Sequence, residues 1–251
     1  MTASKNLAAP IKQRLLNLSR ERGLDFNLVL TRYGVERILY RLSCSNHRDE
    51  FVLKGAMLFH LWSDAPHRPT RDVDLLGEGA PDVGRVGDVF REICITSVDD
   101  DGIDFDPDTI RVERIRDDSE YHGVRVRIEG WLGEARIAVQ ADVGFGDAVT
   151  PLPEIVEFPV LLDQPSPKLR AYRRETVVAE KLQAMVDLGI ANSRMKDFYD
   201  LRYLASCFSF DGSTLLAAIQ STFRRRGETY PAEIPIALTA AFAGDASKQE
   251  Q

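Results

Sequence analysis

The chain has 251 residues, 44% hydrophobic and 28% charged, a balance that supports a sizeable core and either one large domain or two moderate ones. Its net charge of −7 excludes a general nucleic-acid coat protein, which carries a basic balance, while leaving room for a local basic groove. No run approaches the roughly 18 consecutive apolar residues of a membrane span, and Met1 to Ile11 lacks a secretory apolar core, so a cytoplasmic protein with no membrane partner is expected.

In chain order, Ile11, Leu15 and Leu18 recur at helical spacing and Gly23 follows as a C-cap. Asp25 can cap a second helix running to about Tyr40. Phe51-Val52-Leu53 reads as a short strand ending at Lys54-Gly55, and Ala56 to Trp62 as helix. Asp72-Val73-Asp74-Leu75-Leu76 reads as the next strand, closed by Gly77, and Val86, Val89, Phe90 and Ile93 mark an amphipathic helix. The acidic run from Asp99 to Asp108 reads as a solvated loop. Val124, Val126, Ile128 and then Ile137, Val139, Ala141 alternate as half-buried strands.

Pro151, Pro153, Pro159, Pro165 and Pro167 mark residues 151–168 as a linker. Residues 1–150 are then an N-terminal α/β domain and residues 169–251 an all-helical one. In the latter, Val178, Leu182 and Met185 share a helix face before Gly189, and a further helix over 195–207 carries Phe198, Leu201 and Leu204. Cys44, Cys94 and Cys207 form no CxxC pair and are expected as buried thiols. Basic residues cluster at Lys168, Arg170, Arg173 and Arg174, at Arg194 and Lys196, and at Arg224 to Arg226; the simplest reading is solvated surface.

The constellation that carries chemistry is Lys54-Gly55, Thr70-Arg71-Asp72-Val73-Asp74, and Asp142. Residues two apart on a strand share a face, so Asp72 and Asp74 place two carboxylates side by side with Val73 buried opposite. Such a pair gains from a hard cation, and oxygen ligands suit Mg²⁺ or Mn²⁺ completed by substrate phosphates. Asp142 can project away from the apolar face of its strand as a third carboxylate. Gly55, at a strand exit, would let the backbone approach a phosphate. The competing reading makes Asp72 and Asp74 strand-end aspartates held by Arg68 and Arg71. Aspartate pairs alone are weak signals, since the run from Asp99 to Asp108 has several and fits an EF-hand loop poorly, with Ser97 at its first ligand position.

Other chemistries lack their residues. There is no GxxxxGK[ST] loop and no GxSxG elbow, and Asp82 stands where a dinucleotide fingerprint beginning at Gly77 needs its third glycine. His47, His60, His67 and His122 show no metal-ligand spacing.

The runs FVLKGAMLFHLW (51–62), PHRPTRDVDLLG (66–77), AEKLQAM (179–185) and RMKDFYDL (194–201) resemble the AbiEii/AbiGii family of nucleotidyltransferase toxins, from about Gln13 to Leu204 and in the family's order. These are toxin halves of type IV toxin–antitoxin and phage-defence systems. The resemblance implies an α+β fold, with a polymerase-beta-like nucleotidyltransferase core followed by a C-terminal helical domain. It also implies an enzyme that uses an NTP and releases pyrophosphate. Asp72 and Asp74 match the metal motif, with Asp142 as the third candidate ligand; Lys54, Gly55, Arg71 and Lys181 are the nucleotide-binding candidates. Lys181 matches the lysine motif that would hold the triphosphate. Asp197 matches the final acidic motif, with Asp200 one turn on as the alternative. Taken alone, Lys181 reads as a snorkelling surface lysine, and Asp197 and Asp200 as solvated or bonded to Arg194 and Arg202. Some family members modify the tRNA 3′ end and block aminoacylation, so RNA and a cognate antitoxin are the expected partners. Thr70 sits where a kinase-like antitoxin could modify a hydroxyl. The chain departs from the broader superfamily in having Gly55-Ala56 where Gly-Gly or Gly-Ser is usual, and a longer spacing to Asp72.

Three functions compete: nucleotide transfer to RNA, the same transfer to a small-molecule or protein hydroxyl, and a non-catalytic NTP-binding module. The acidic net charge suits a cationic small acceptor; the intact Asp72, Asp74, Asp142 and Lys181 oppose the non-catalytic reading.

Overall fold

The computed structural model describes residues 4–63, 68–115 and 123–249; His67 and His122 lie outside them. The fold is mixed α and β, and the chain divides into two compact units. One comprises residues 1–146 with 155–171, the other residues 147–154 with 172–251. The proline-rich stretch is thus shared, 151–154 grouping with the second unit and 155–168 with the first.

The first unit is built on a seven-stranded mixed sheet. Its strands are β1 (Phe51–Lys54), β2 (Asp72–Gly77), β3 (Ile103–Ile115), β4 (Gly123–Leu132), β5 (Ala135–Phe145), β6 (Glu154–Glu157) and β7 (Lys168–Ala171), in the order β3-β4-β5-β2-β1-β7-β6. β2 runs parallel to β5 and antiparallel to β1, and β1 runs parallel to β7. The β4–β5 alternation is as the sequence predicts: Val124, Val126, Ile128, Ile137, Val139 and Ala141 are buried, each contributing about 1.5–3 kcal/mol for the larger side chains.

Helices α1 (Ser4–Arg22), α2 (Phe26–Cys44) and α4 (Val83–Cys94) cover this apolar face; the short α3 (Phe59–Trp62) follows a 3₁₀ turn at Gly55–Leu58. Asp25 caps α2 through the Leu28 N–H at 2.9 Å, a contact worth about 1 kcal/mol, and the helix continues past Tyr40 to Cys44. α2 lies so close to β5 that a Cβ on Gly34 would come 2.5 Å from Ile137 Cγ2. Buried polar groups on α2 tie in distant segments. Arg41 grips Asp101 with two hydrogen bonds of 2.6 and 3.1 Å, and Tyr33 donates to the Asp101 carbonyl at 2.7 Å. Glu36 accepts from the Leu161 N–H at 3.0 Å and Arg37 donates to the Pro165 carbonyl at 3.1 Å, which anchors residues 161–165 in this unit.

The acidic run differs from its expected form. Asp101 is 2% exposed and paired, and Asp104, Asp106 and Asp108 belong to β3. Ile103 and Phe105 are buried between these aspartates and Ile110 just beyond them, an alternation broken by a register shift between Asp106 and Arg111. Pro107 is tolerated there because β3 is an edge strand.

The second unit is helical. It contains α5 (Arg174–Leu188), α6 (Met195–Cys207) and α7 (Gly212–Arg225), followed by the short α8 (Ala240–Ala243) and α9 (Ala246–Gln249). Met185, Ala237 and Phe242 form its apolar centre, with Met195, Phe198 and Leu201 packed against it. Val178 and Leu182 are only half-buried; the buried positions of α5 are Thr176, Val177, Ala179, Gln183 and Met185, because polar contacts such as Gln183 to Glu228 at 2.9 Å and Thr176 to the Thr150 carbonyl also cover the helix. Cys94 alone among the cysteines is buried; Cys44 and Cys207 are exposed at or near helix ends. No helix among the described residues is long and apolar enough to cross a membrane.

Candidate active site

The polar face of the sheet carries the predicted pair. Along β2 the burial alternates, with Val73 fully buried and Asp72 and Asp74 half-buried on the opposite face. Asp74 is in register with Asp142 of β5 and with Lys54 of β1, and Asp142 in turn with Arg125 of β4. One row therefore crosses four strands as Arg125, Asp142, Asp74, Lys54, two neighbouring carboxylates flanked by a cation at each end. Asp72 belongs to the adjacent row, beside Gln140 and Arg127.

Two observations bear on Asp74 and Asp142. Gly55 has φ +71° and packs on Asp74 so closely that a Cβ would lie 1.9 Å from Asp74 Oδ2. The turn that ends β1 thus has no room for any other residue while that carboxylate keeps its place. Asp142 is clasped by Arg125 in a two-pronged ion pair, Nε to Oδ1 at 2.8 Å and Nη2 to Oδ2 at 2.7 Å. The Arg125 pKa is raised: the hydrogen bond to Asp142 dominates, partial burial opposes it, and the charges of Asp142, Asp72 and Glu113 add to it. Arg125 therefore feels Asp72 as well as its direct partner.

Thr70 donates to the Asp72 carbonyl at 3.3 Å, and Arg71 is exposed. For a divalent cation, Asp72 and Asp74 offer hard oxygen donors on one face, half-open to solvent, with Gly55 keeping the neighbouring backbone close; these residues fit such an ion. Among the described residues no three His, Cys, Asp or Glu side chains converge as a ligand set, since Asp142 is turned to Arg125.

In the helical unit, Lys181 of α5 is ion-paired with Asp197 and with Asp200 of α6, the latter at 3.0 Å. Asp200 is completely buried, whereas Lys181 and Asp197 retain 14% and 18% of their side-chain exposure. The matched lysine and acidic motifs are thus brought together, and the alternative between Asp197 and Asp200 becomes a shared hold on one ammonium. Lys181 is not a snorkelling surface lysine.

The basic clusters are partly absorbed by structure. Arg170 binds Glu78 and the Asp49 carbonyl, Arg173 pairs with Glu154, Arg174 stacks on Phe208, and Arg226 pairs with Asp147. Arg125 was not among the sequence candidates. It lies between Val124 and Val126, so its exposure on the polar face is readable from the alternation; that it meets Asp142 depends on strand register, which is not.

The sheet unit thus carries two carboxylates on one strand face beside a glycine turn that follows a strand. The family model of the nucleotidyl transferase AbiEii toxin, type IV toxin–antitoxin system, matches residues 37–251, and the chain belongs to this family. It is accordingly a nucleotidyltransferase of toxin type, with a cognate antitoxin implied. Two crystal structures from Helicobacter pylori are similar. One is JHP933, at 16% identity and a TM-score of 0.45 over 75% of each chain. The other is a candidate nucleotidyltransferase, at 15% identity and a TM-score of 0.45 over 85% of this chain and 84% of that one. No curated protein matches the chain.

Proposed function

We propose that the protein transfers a nucleotide from an NTP to the 3′ end of an RNA, most favourably tRNA, and thereby blocks translation in the cytoplasm. The observation that carries this reading is the placement of Asp72 and Asp74 on one open face of β2, with Gly55 packed on Asp74. Asp72 and Asp74 would hold Mg²⁺ or Mn²⁺, with Asp142 beside them; such an ion supplies charge to the triphosphate when bound. Gly55, Lys54 and Arg71 would line the approach of the phosphates in the sheet unit, and Lys181 is the nucleotide-binding candidate of the helical unit. The acceptor 3′-hydroxyl attacks the α-phosphorus and gives up its proton to solvent, a new O–P bond forms, the α–β bridging P–O bond breaks, and pyrophosphate leaves with its electron pair. Asp197 and Asp200 hold the Lys181 ammonium in place. Thr70, hydrogen-bonded to the Asp72 carbonyl, is the position at which the antitoxin would modify the toxin, with consequences for phage defence.

The net charge of −7 favours a second reading, transfer to a cationic small molecule or a protein hydroxyl. The test is label transfer from each of the four NTPs to total tRNA with Mg²⁺, beside the Asp72→Ala/Asp74→Ala variant. Label on tRNA with wild type alone is expected and names the nucleotide. Label on an amine or protein acceptor instead, or NTP binding without turnover, would overturn the RNA reading.

A further inference from the structure

The row Arg125, Asp142, Asp74, Lys54 has a charge pattern that bears on how many ions the site takes. Asp142 is where a second divalent ion would need its third carboxylate, in register with Asp74 on the parallel neighbouring strand. Both of its oxygens are already engaged by Arg125, at 2.8 and 2.7 Å, in the two-pronged geometry that makes the strongest arginine–carboxylate pairs. The clasp is set by the sheet itself: Arg125 and Asp142 are partners in the antiparallel β4–β5 register, flanked by Val124, Val126, Ala141 and Val143, all buried on the other face. Neither residue can slip without moving that apolar row. Lys54 brings a second fixed cation to the opposite end of the row.

We infer that Arg125 occupies the place of a second metal ion, so that the site takes one divalent cation, on Asp72 and Asp74, and not two. The inference rests on the reading of Asp72 and Asp74 as cation ligands. Arg125 offsets the charge of Asp142, so the proposed cation is left to Asp72 and Asp74. Arg125 is a positioning residue here: it holds Asp142 by both oxygens and so withdraws it from the metal. This reading differs from the three-carboxylate metal set expected from sequence, because a guanidinium, unlike a carboxylate, cannot share a cation.

The test is a count of bound Mn²⁺ per chain, by electron paramagnetic resonance with a non-hydrolysable NTP analogue at saturation. Wild type should bind one ion, and Arg125→Met two, because the freed Asp142 then becomes a ligand. Arg125→Lys should remain at one, since an ammonium still neutralises Asp142. The double variant Arg125→Met/Asp142→Asn, which removes both charges together, should bind one ion with an affinity within about threefold of wild type; it also serves if Arg125→Met alone fails to fold. Two ions on wild type would overturn the inference and leave the proposed function standing. One ion on both wild type and Arg125→Met would equally overturn it. No ion on wild type, even with the nucleotide analogue, would remove the reading of Asp72 and Asp74 as ligands as well.

Discussion

Replacing Gly55 by alanine should damage both the sheet unit and the cation site proposed on it. Holding an L-residue at φ +71° costs about 1–2 kcal/mol. The new Cβ would stand 1.9 Å from Asp74 Oδ2, 2.6 Å from its Cγ and 2.7 Å from its Cβ, so the aspartate must leave its rotamer, at a further cost of about 0.5–1.5 kcal/mol, and the backbone must shift to clear its Cβ. The total, about 2–3 kcal/mol, is a large part of a typical domain's stability but does not exceed it. Trp62 and Trp131 both lie in the sheet unit, so urea unfolding followed by tryptophan fluorescence reports on that unit alone. Asp74→Ala in the same background should recover part of the loss, because the carboxylate is the nearest obstacle, and the double-mutant cycle should give a coupling of about 1 kcal/mol. Titration with Mn²⁺ should show weaker binding by Gly55→Ala than the stability loss alone implies. A loss below about 0.5 kcal/mol with unchanged cation binding would refute the claim that the turn is built around Asp74.

Other substitutions probe other parts of the molecule. Asp101→Ala leaves Arg41 buried without its carboxylate and should cost about 3–5 kcal/mol in urea unfolding, against a far smaller loss for Asp104→Ala on the exposed side of β3. Asp200→Ala should destabilise the helical unit by about 1–3 kcal/mol, and by more than Asp197→Ala, since Asp200 is wholly buried; circular dichroism melts of the two variants check the order. His47 bonds Glu50 and Glu92, each at 2.8 Å; partial burial lowers its pKa, but the two hydrogen bonds outweigh it and the folded value is raised above about 6.5. The wild-type advantage over His47→Gln should therefore be complete below the unfolded pKa and vanish as pH rises through the folded one; an advantage that grew with pH would contradict this.

The parts legible in the sequence are those governed by local periodicity. β4 and β5 announce themselves because Val124, Val126, Ile128 and Ile137, Val139, Ala141 alternate without interruption, and α2 because Asp25 stands at its start. The Asp72/Asp74 pair is visible for the same reason, a two-residue repeat with Val73 between. β3 is hidden because its aspartates and Pro107 imitate a loop, while the residues that make it a strand, Ile103, Phe105 and Ile110, are spread across a register shift. The hold of Asp200 on Lys181 was beyond reach of spacing arguments, since it joins two helices. Arg125 was missed for a related reason: its partner is set by which strands become neighbours, and the chain passes through a hairpin and a parallel pairing to bring the two rows together.

That same row makes the site a product of late, long-range folding. Lys54, Asp74, Arg125 and Asp142 come from four separate stretches of chain, and β2 finds its parallel partner β5 only after the chain has run through β3 and β4. Contacts between distant segments form slowly because the intervening loop must be closed first. A nascent or truncated chain ending before β5 carries the Asp72/Asp74 pair but neither Asp142 nor the strand that aligns them. On the proposed function, a chain halted before β5 would therefore carry an incomplete site.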